Sequence, residues 1–131
     1  MTGISVRTTT ATTSLRWICL LVFLNLGLVV LQSVSAGLVM SGSRPAILLH
    51  ARGGLALGLS ALLQVGAAVI LWVRRRAPGW VVRSALILFV LVALQMGAGH
   101  SKRYWFHVPV GVALFGGLLR QATRLVSMEV H

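Results

Sequence analysis

Two histidines head segments that can be laid over one another, and imidazole is the side chain best suited to hold a metal at neutral pH. His50 begins HARGGLALGLSALLQ and His107 begins HVPVGVALFGGLLRQ. Six of the fifteen positions are identical: His50/His107, Gly54/Gly111, Ala56/Ala113, Leu57/Leu114, Leu62/Leu119 and Gln64/Gln121. On a helix, positions i, i+4, i+7, i+11 and i+14 share a face. From His50 that face carries Gly54, Leu57, Ala61 and Gln64; from His107 it carries Gly111, Leu114, Leu118 and Gln121. Each histidine therefore has a glycine one turn below it, where the missing side chain would let a flat macrocycle lie against the helix. A low-spin haem iron takes two neutral imidazole nitrogens from opposite faces, and facing helices of a bundle can supply them. Arg44, Arg52, Lys102 and Arg103 are the cations available to haem propionates at the same end. The expected site is thus His50 and His107 as metal ligands, with Gly54, Gly111, Arg44, Arg52, Lys102 and Arg103 around a haem b.

A plainer reading fits the same residues. Histidines near helix ends often sit at the membrane interface with a wet ring nitrogen, and glycine in such helices admits close packing. His100, near a loop, is a weaker ligand candidate, and His131 belongs to the tail. Gln32, Gln64, Gln95 and Gln121 read as interhelical hydrogen-bond partners rather than catalysts.

What is absent narrows the chemistry further. Glu129 is the sole acid, so paired-carboxylate hydrolysis, Mg or Ca binding and carboxylate proton relays are excluded. A single cysteine, Cys19, excludes an intramolecular disulfide and any Cys-rich metal or iron–sulfur site. No phosphate-binding glycine loop, HExxH or GxSxG motif occurs. Catalysis could enter only with a cofactor, so whether the chain is an enzyme stays open, with a non-catalytic role the favoured reading.

The elements that must position the histidines follow from the apolar runs. Of the 131 residues, 57% are hydrophobic, and the twelve Lys and Arg give a net charge of +11. Those charges cluster between long apolar stretches and do not line one aromatic-studded face, so nucleic acid is excluded as a partner and membrane lipids are expected. Four stretches lack Lys, Arg, Asp and Glu: 17–43, 53–73, 84–101 and 104–119. Crossing the hydrocarbon takes about 20 apolar residues, with a range of roughly 17 to 25. The fourth stretch is short and spans only if Arg120 snorkels to the headgroups while the helix continues to about Val126.

The expected architecture is an all-α membrane protein, a four-transmembrane-helix bundle built from two parallel-repeat helical hairpins. Its helices are placed at about 15–40, 46–74, 79–99 and 105–126, after a disordered Thr-rich cytoplasmic tail at 1–14 and before a short cytoplasmic tail at 127–131. The opening segment also resembles a signal peptide, with Val34, Ser35 and Ala36 in cleavage register. Its apolar run continues through Met40 and it aligns with the third helix, so it is read as a retained span.

Orientation follows from the basic residues. One side of a four-span chain holds Arg7, Arg16, Arg74, Arg75, Arg76, Arg83, Arg120 and Arg124, eight in all; the other holds Arg44, Arg52, Lys102 and Arg103, four. The excess places both termini in the cytoplasm of a cell membrane. Trp17, Trp72 and Trp80 then mark the inner interface and Trp105 the outer one.

The first and third helices match at a different offset, 63 residues, through Trp17/Trp80, Leu28/Leu91, Val29/Val92, Leu31/Leu94 and Gln32/Gln95. A shorter second outer loop is the expected cause of the change from the histidine offset. Both hairpins run the same way, which relates them by a pseudo-two-fold along the membrane normal. Each half then delivers one histidine at similar depth.

Four segments, LQSVSAGLVMSGS, ILLHARGGLALGL, ALILFVLVALQMGAG and the helix opening at His107, together resemble one four-helix half of the haem A synthase family. Other small four-helix b-type membrane cytochromes are similar. The resemblance runs from about Gln32 to Gln121. It implies that the second and fourth helices each present one histidine, His50 and His107, to a haem. Two departures bear on activity. Where the family's first half carries a glutamate three residues before the ligand and an arginine directly after it, this chain has Ile47 and Ala51, with Arg52 one residue late. The outer-loop cysteine pair of many members is also absent. Haem binding, with electron transfer or haem handling near the outer face, is therefore expected without oxidation of a haem methyl group. A redox partner or a larger membrane complex would be its protein partner. The second reading is a cofactor-free accessory or structural subunit of such a complex.

Overall fold

A computed structural model describes residues 5–129, with side chains for residues 15–128. Four helices account for nearly all of it: α1 (Ser5–Met40), α2 (Arg44–Val73), α3 (Gly79–His100) and α4 (Tyr104–Glu129). Three of them are long and apolar enough to cross a membrane, at Leu15–Met40, Arg44–Val73 and Gly79–His100. In α4 the charges of Arg120 and Arg124 interrupt the apolar run.

Most helix ends fall within two residues of expectation, and the N-terminal end of α1 and the C-terminal end of α4 do not. The Thr-rich segment was expected to be a disordered tail, yet α1 begins at Ser5. Once the apolar run has nucleated a helix, each further residue adds one backbone hydrogen bond. By the same reasoning α4 runs on to Glu129 and takes up most of the expected C-terminal tail. His131 and the first four residues lie outside the described residues.

Three helices end in the same device. At the α1 end Ser43 N–H reaches back to the Leu38 carbonyl and Gly42 N–H to Val39. Arg76 and Arg75 do the same to Leu71 and Trp72, and Arg103 and Lys102 to Ala98 and Gly99. This pair of hydrogen bonds satisfies two of the last carbonyls and needs a left-handed residue at the turn. Gly42 takes that conformation with φ 88°, but Arg75 (φ 54°) and Lys102 (φ 55°) take it with a side chain attached.

The helices form a ring in which α1 packs on α2, α2 on α3, α3 on α4 and α4 on α1. Across the diagonals no Cα atoms of the described residues come within 8 Å, so α2 and α4 meet only through side chains. The interior combines Ile18, Val22, Leu57, Leu88, Leu114, Leu118 and Leu125 with the buried polar residues Asn25, Ser35, Ser60, Gln64 and Gln121. Large apolar side chains such as Leu20, Phe23, Leu55, Leu63, Ile87 and Val112 face outward, each more than half exposed.

A chain of hydrogen bonds ties all four helices at one level. Asn25 Nδ2 donates to Gln64 Oε1 (2.7 Å), Gln64 Nε2 to Gln121 Oε1 (2.9 Å), and Gln121 Nε2 to Ser84 Oγ (2.8 Å). Ser84 Oγ donates in turn to the Val81 carbonyl.

The offset between the hairpins has a different origin from the one expected. Residues 41–43 link α1 to α2 and residues 101–103 link α3 to α4, so the two outer loops are equal in length. The helices themselves are shorter in the second hairpin. At the offset of 63 the end of α3, His100, matches Gly37, and at the offset of 57 the start of α4, Tyr104, matches Ile47. Each arm thus loses three residues, and the loop sequence keeps its tight turn.

Candidate functional site

His50 lies in the second turn of α2 and His107 in the first turn of α4. Both are half-buried, and their rings meet across the diagonal with centroids 6.1 Å apart and planes inclined by 62°. Farther down the same two faces Leu57, Ala61 and Gln64 of α2 and Leu114, Leu118 and Gln121 of α4 are buried. The Gln64–Gln121 bond lies fourteen residues deeper than the histidines on each helix, about 21 Å at the α-helical rise. Two diagonal rungs, one of imidazoles and one of amides, therefore join α2 to α4.

Each imidazole is held at Nδ1. His107 Nδ1 lies 2.9 Å from the Gln95 carbonyl oxygen. A carbonyl only accepts, so Nδ1 carries the proton and donates. His50 Nδ1 lies 3.0 Å from Ser35 Oγ, whose own hydroxyl donates to the Gln32 carbonyl at 3.0 Å. While its one proton is committed there, the serine oxygen can only accept from His50 Nδ1–H. The His107 ring is thereby in the tautomer that leaves Nε2 with a free lone pair, the form metal-ligating histidines adopt when Nδ1–H bonds a carbonyl, and the same tautomer of His50 is the one compatible with the Ser35–Gln32 bond.

The two halves reach this state differently. Gln32 and Gln95 are matched positions of the repeat, and both supply the final carbonyl. Ser35 is matched by Ala98 at the offset of 63, so a hydroxyl is interposed in one half and is missing in the other. Gly99 lets the His107 ring lie against α3, since a Cβ there would stand 3.2 Å from its Cε1 and 3.3 Å from its Nδ1.

The glycine notches are not open. A Cβ at Gly53 would overlap Gln32 Nε2, and one at Gly111 would lie 2.8 Å from Gln95 Nε2. Gly54 has Gln32 Oε1 at 3.8 Å from its Cβ position. The space expected for a macrocycle beside Gly54 and Gly111 thus holds the Gln32 and Gln95 side chains. Among the described residues, Gln32 Nε2 and Gln95 Oε1 are buried without a hydrogen-bond partner, together with Asn25 Oδ1 and Ser60 Oγ. Two of these four atoms belong to the residues packed against the glycines next to the imidazole pair. Gln64 and Gln121 do bond between helices, as expected of all four glutamines.

Arg44, Arg52, Lys102 and Arg103 are exposed at the end of the bundle that carries the histidines. His100 is exposed near the loop. No group of three or more His, Cys, Asp or Glu gathers among the described residues, so any metal here would rest on two protein nitrogens and need further ligands of its own. Reading the sequence alone passed over Ser35, Gly99 and the main-chain carbonyl of Gln95. Ser35 and Gly99 lie inside the quoted LQSVSAG and ALQMGAG segments, but nothing in a sequence says which side chain meets a histidine on the next helix.

An ion held by two imidazoles at about 2 Å from each nitrogen puts the ring centres on the order of 6 Å apart, which the observed 6.1 Å matches. The atoms that meet the Cβ positions of Gly53, Gly54 and Gly111 belong to the flexible side chains of Gln32 and Gln95. No family model, curated protein or solved structure matches the chain.

Proposed function

We propose that this chain is an integral membrane protein of four spans that binds haem b between His50 and His107 near the outer face. Its role would be electron transfer or haem handling alongside a redox partner or a larger complex. One observation carries the reading: two imidazoles from matched positions of a repeat meet at 6.1 Å, with Nδ1 occupied on both. The surface also suits lipid, since large apolar side chains cover the outside while amides and hydroxyls lie within. The eight-to-four division of basic residues supports cytoplasmic termini. The resemblance to one half of the haem A synthase family supports the same ligand pair.

In this reading His50 and His107 would hold the haem iron through Nε2, and Arg44, Arg52, Lys102 and Arg103 would neutralise the propionates. Gln32 and Gln95 leave the glycine notches to make room. When bound, the haem iron carries single electrons between ferric and ferrous states. Residues of the protein hold and orient it, and no acid or nucleophile takes part.

The test is colour. Protein purified in detergent from haem-supplemented cells is expected to show a Soret band, with α and β bands on reduction, and His50→Ala and His107→Ala are each expected to remove them. A colourless, monodisperse wild-type protein would overturn the proposal. It would favour the second reading, a cofactor-free accessory subunit, which the filling of both notches by Gln32 and Gln95 favours over an open slot.

A further inference from the structure

Ser35 is fully buried in α1, and its hydroxyl is within hydrogen-bond distance of two groups. It donates to Gln32 C=O one turn earlier at 3.0 Å and lies 3.0 Å from His50 Nδ1, from which it can then accept. A serine that bonds its own helix needs no second partner, and its matched position in the other hairpin is alanine. There His107 reaches the matched carbonyl directly, at 2.9 Å. The hydroxyl therefore completes on one side a contact that the other side makes without help.

We propose that Ser35 is the positioning residue of the imidazole pair: by passing the Gln32 carbonyl's demand for a proton to His50, it fixes the His50 tautomer and presents Nε2 as a ligand. The proposal rests on the haem-binding reading above for what Nε2 binds. The chemistry of the relay is independent of it. Without the hydroxyl, His50 Nδ1 has no acceptor in the structure, and the ring is free to place its proton on Nε2, where it cannot coordinate. His107, with a main-chain carbonyl that no side-chain substitution removes, keeps its tautomer. The two ligands are thus of unequal robustness, and the pair fails first at His50.

Histidine side-chain ¹⁵N spectra of the cofactor-free protein in detergent test the relay, with ring signals assigned through His50→Ala and His107→Ala. In the wild type both rings are expected as the Nδ1–H tautomer. In Ser35→Ala the His50 signals should move to a tautomer mixture while those of His107 stay, and Ser35→Thr, which retains the hydroxyl, should restore them. Alanine already stands at position 98, so Ser35→Ala is expected to fold, and unchanged helicity checks this. A His50 ring still wholly Nδ1–H in Ser35→Ala, or already Nε2–H in the wild type, overturns the proposal. Ferric haem titration supplies a second readout: Ser35→Ala should weaken binding about 10- to 100-fold, the usual cost of losing such an outer partner, and Ser35→Thr should recover it. Unchanged affinity would overturn the role of Ser35 and leave the His50–His107 site standing. Failure of the wild type to bind haem would instead overturn the proposed function, and the tautomer spectra would still decide whether Ser35 sets His50.

Discussion

Gly97 and Gly99 differ by two positions on α3, and the difference decides whether either matters to His107. A Cβ at Gly99 would press on the imidazole at 3.2 Å, while one at Gly97 would meet nothing within 4 Å. Gly99→Ala is therefore expected to displace the ring by a few tenths of an ångström and to weaken ferric haem binding by about tenfold, comparable to losing an outer partner. Gly97→Ala should leave binding unchanged and gain about 0.4–1 kcal/mol by restraining the unfolded chain. Absorbance titration and thermal unfolding of the two variants check both. Equal effects on binding would mean that the close packing of His107 against α3 does not matter to the site. The same type of residue thus carries a site contact at one position and none two residues away, a distinction that spacing alone cannot draw.

At the scale of the element, the turns are built alike and filled unlike. Gly42, Arg75 and Lys102 hold the same left-handed corner, a conformation that costs a residue with a side chain roughly 1–2 kcal/mol. Lys102→Gly should therefore stabilise the second hairpin by about 1 kcal/mol, and Gly42→Val should destabilise the first by at least as much. Denaturant unfolding in micelles measures both, and effects of the same sign would contradict the shared turn geometry. In the proposed four-span reading the lysine and arginine at these corners would answer a different demand, that of basic residues at helix ends for lipid headgroups. The shortening of the second hairpin belongs to this scale too. Losing three residues from each arm keeps the paired histidines level while lowering the rim above His107, which stands nearer its helix start than His50 does.

Across the whole molecule, the hydrogen-bond chain from Asn25 through Gln64 and Gln121 to Ser84 is the one polar tie that all four helices share among the bonds described. Asn25 and Gln64 also line a void of about 10 Å³, close to what one water needs, beside the unpartnered Asn25 Oδ1. A double-mutant cycle on Gln64→Leu and Gln121→Leu is expected to give a coupling of about 0.6 kcal/mol, the average for such bonds in membrane bundles. A coupling near zero would mean that the amides do not interact in the folded protein. Orientation is testable on the intact molecule because its single cysteine, Cys19, is buried. Lys102→Cys should be labelled from outside intact cells by an impermeant thiol reagent and Arg75→Cys only after lysis. The opposite pattern would reverse the assigned topology.

Much of the architecture was legible in the chain because apolar composition and backbone geometry demand it. Long apolar runs must form helices whose amide groups satisfy one another, so four helices, their approximate limits and the buried faces below His50 and His107 could be read from composition and the helical period. The repeat made the equal depth of the two histidines legible as well, since matched positions of matched hairpins stand level. Three things were decided only by packing. The arms, not the loop, absorb the missing residues, because a tight turn has one workable length. Gln32 and Gln95 fill the glycine notches, because a close-packed interior does not leave a slot open when a flexible side chain can reach it. Ser35 and the Gln95 carbonyl hold the imidazoles, because a hydrogen bond between helices depends on their relative rotation, and no residue's spacing along its own helix records that rotation.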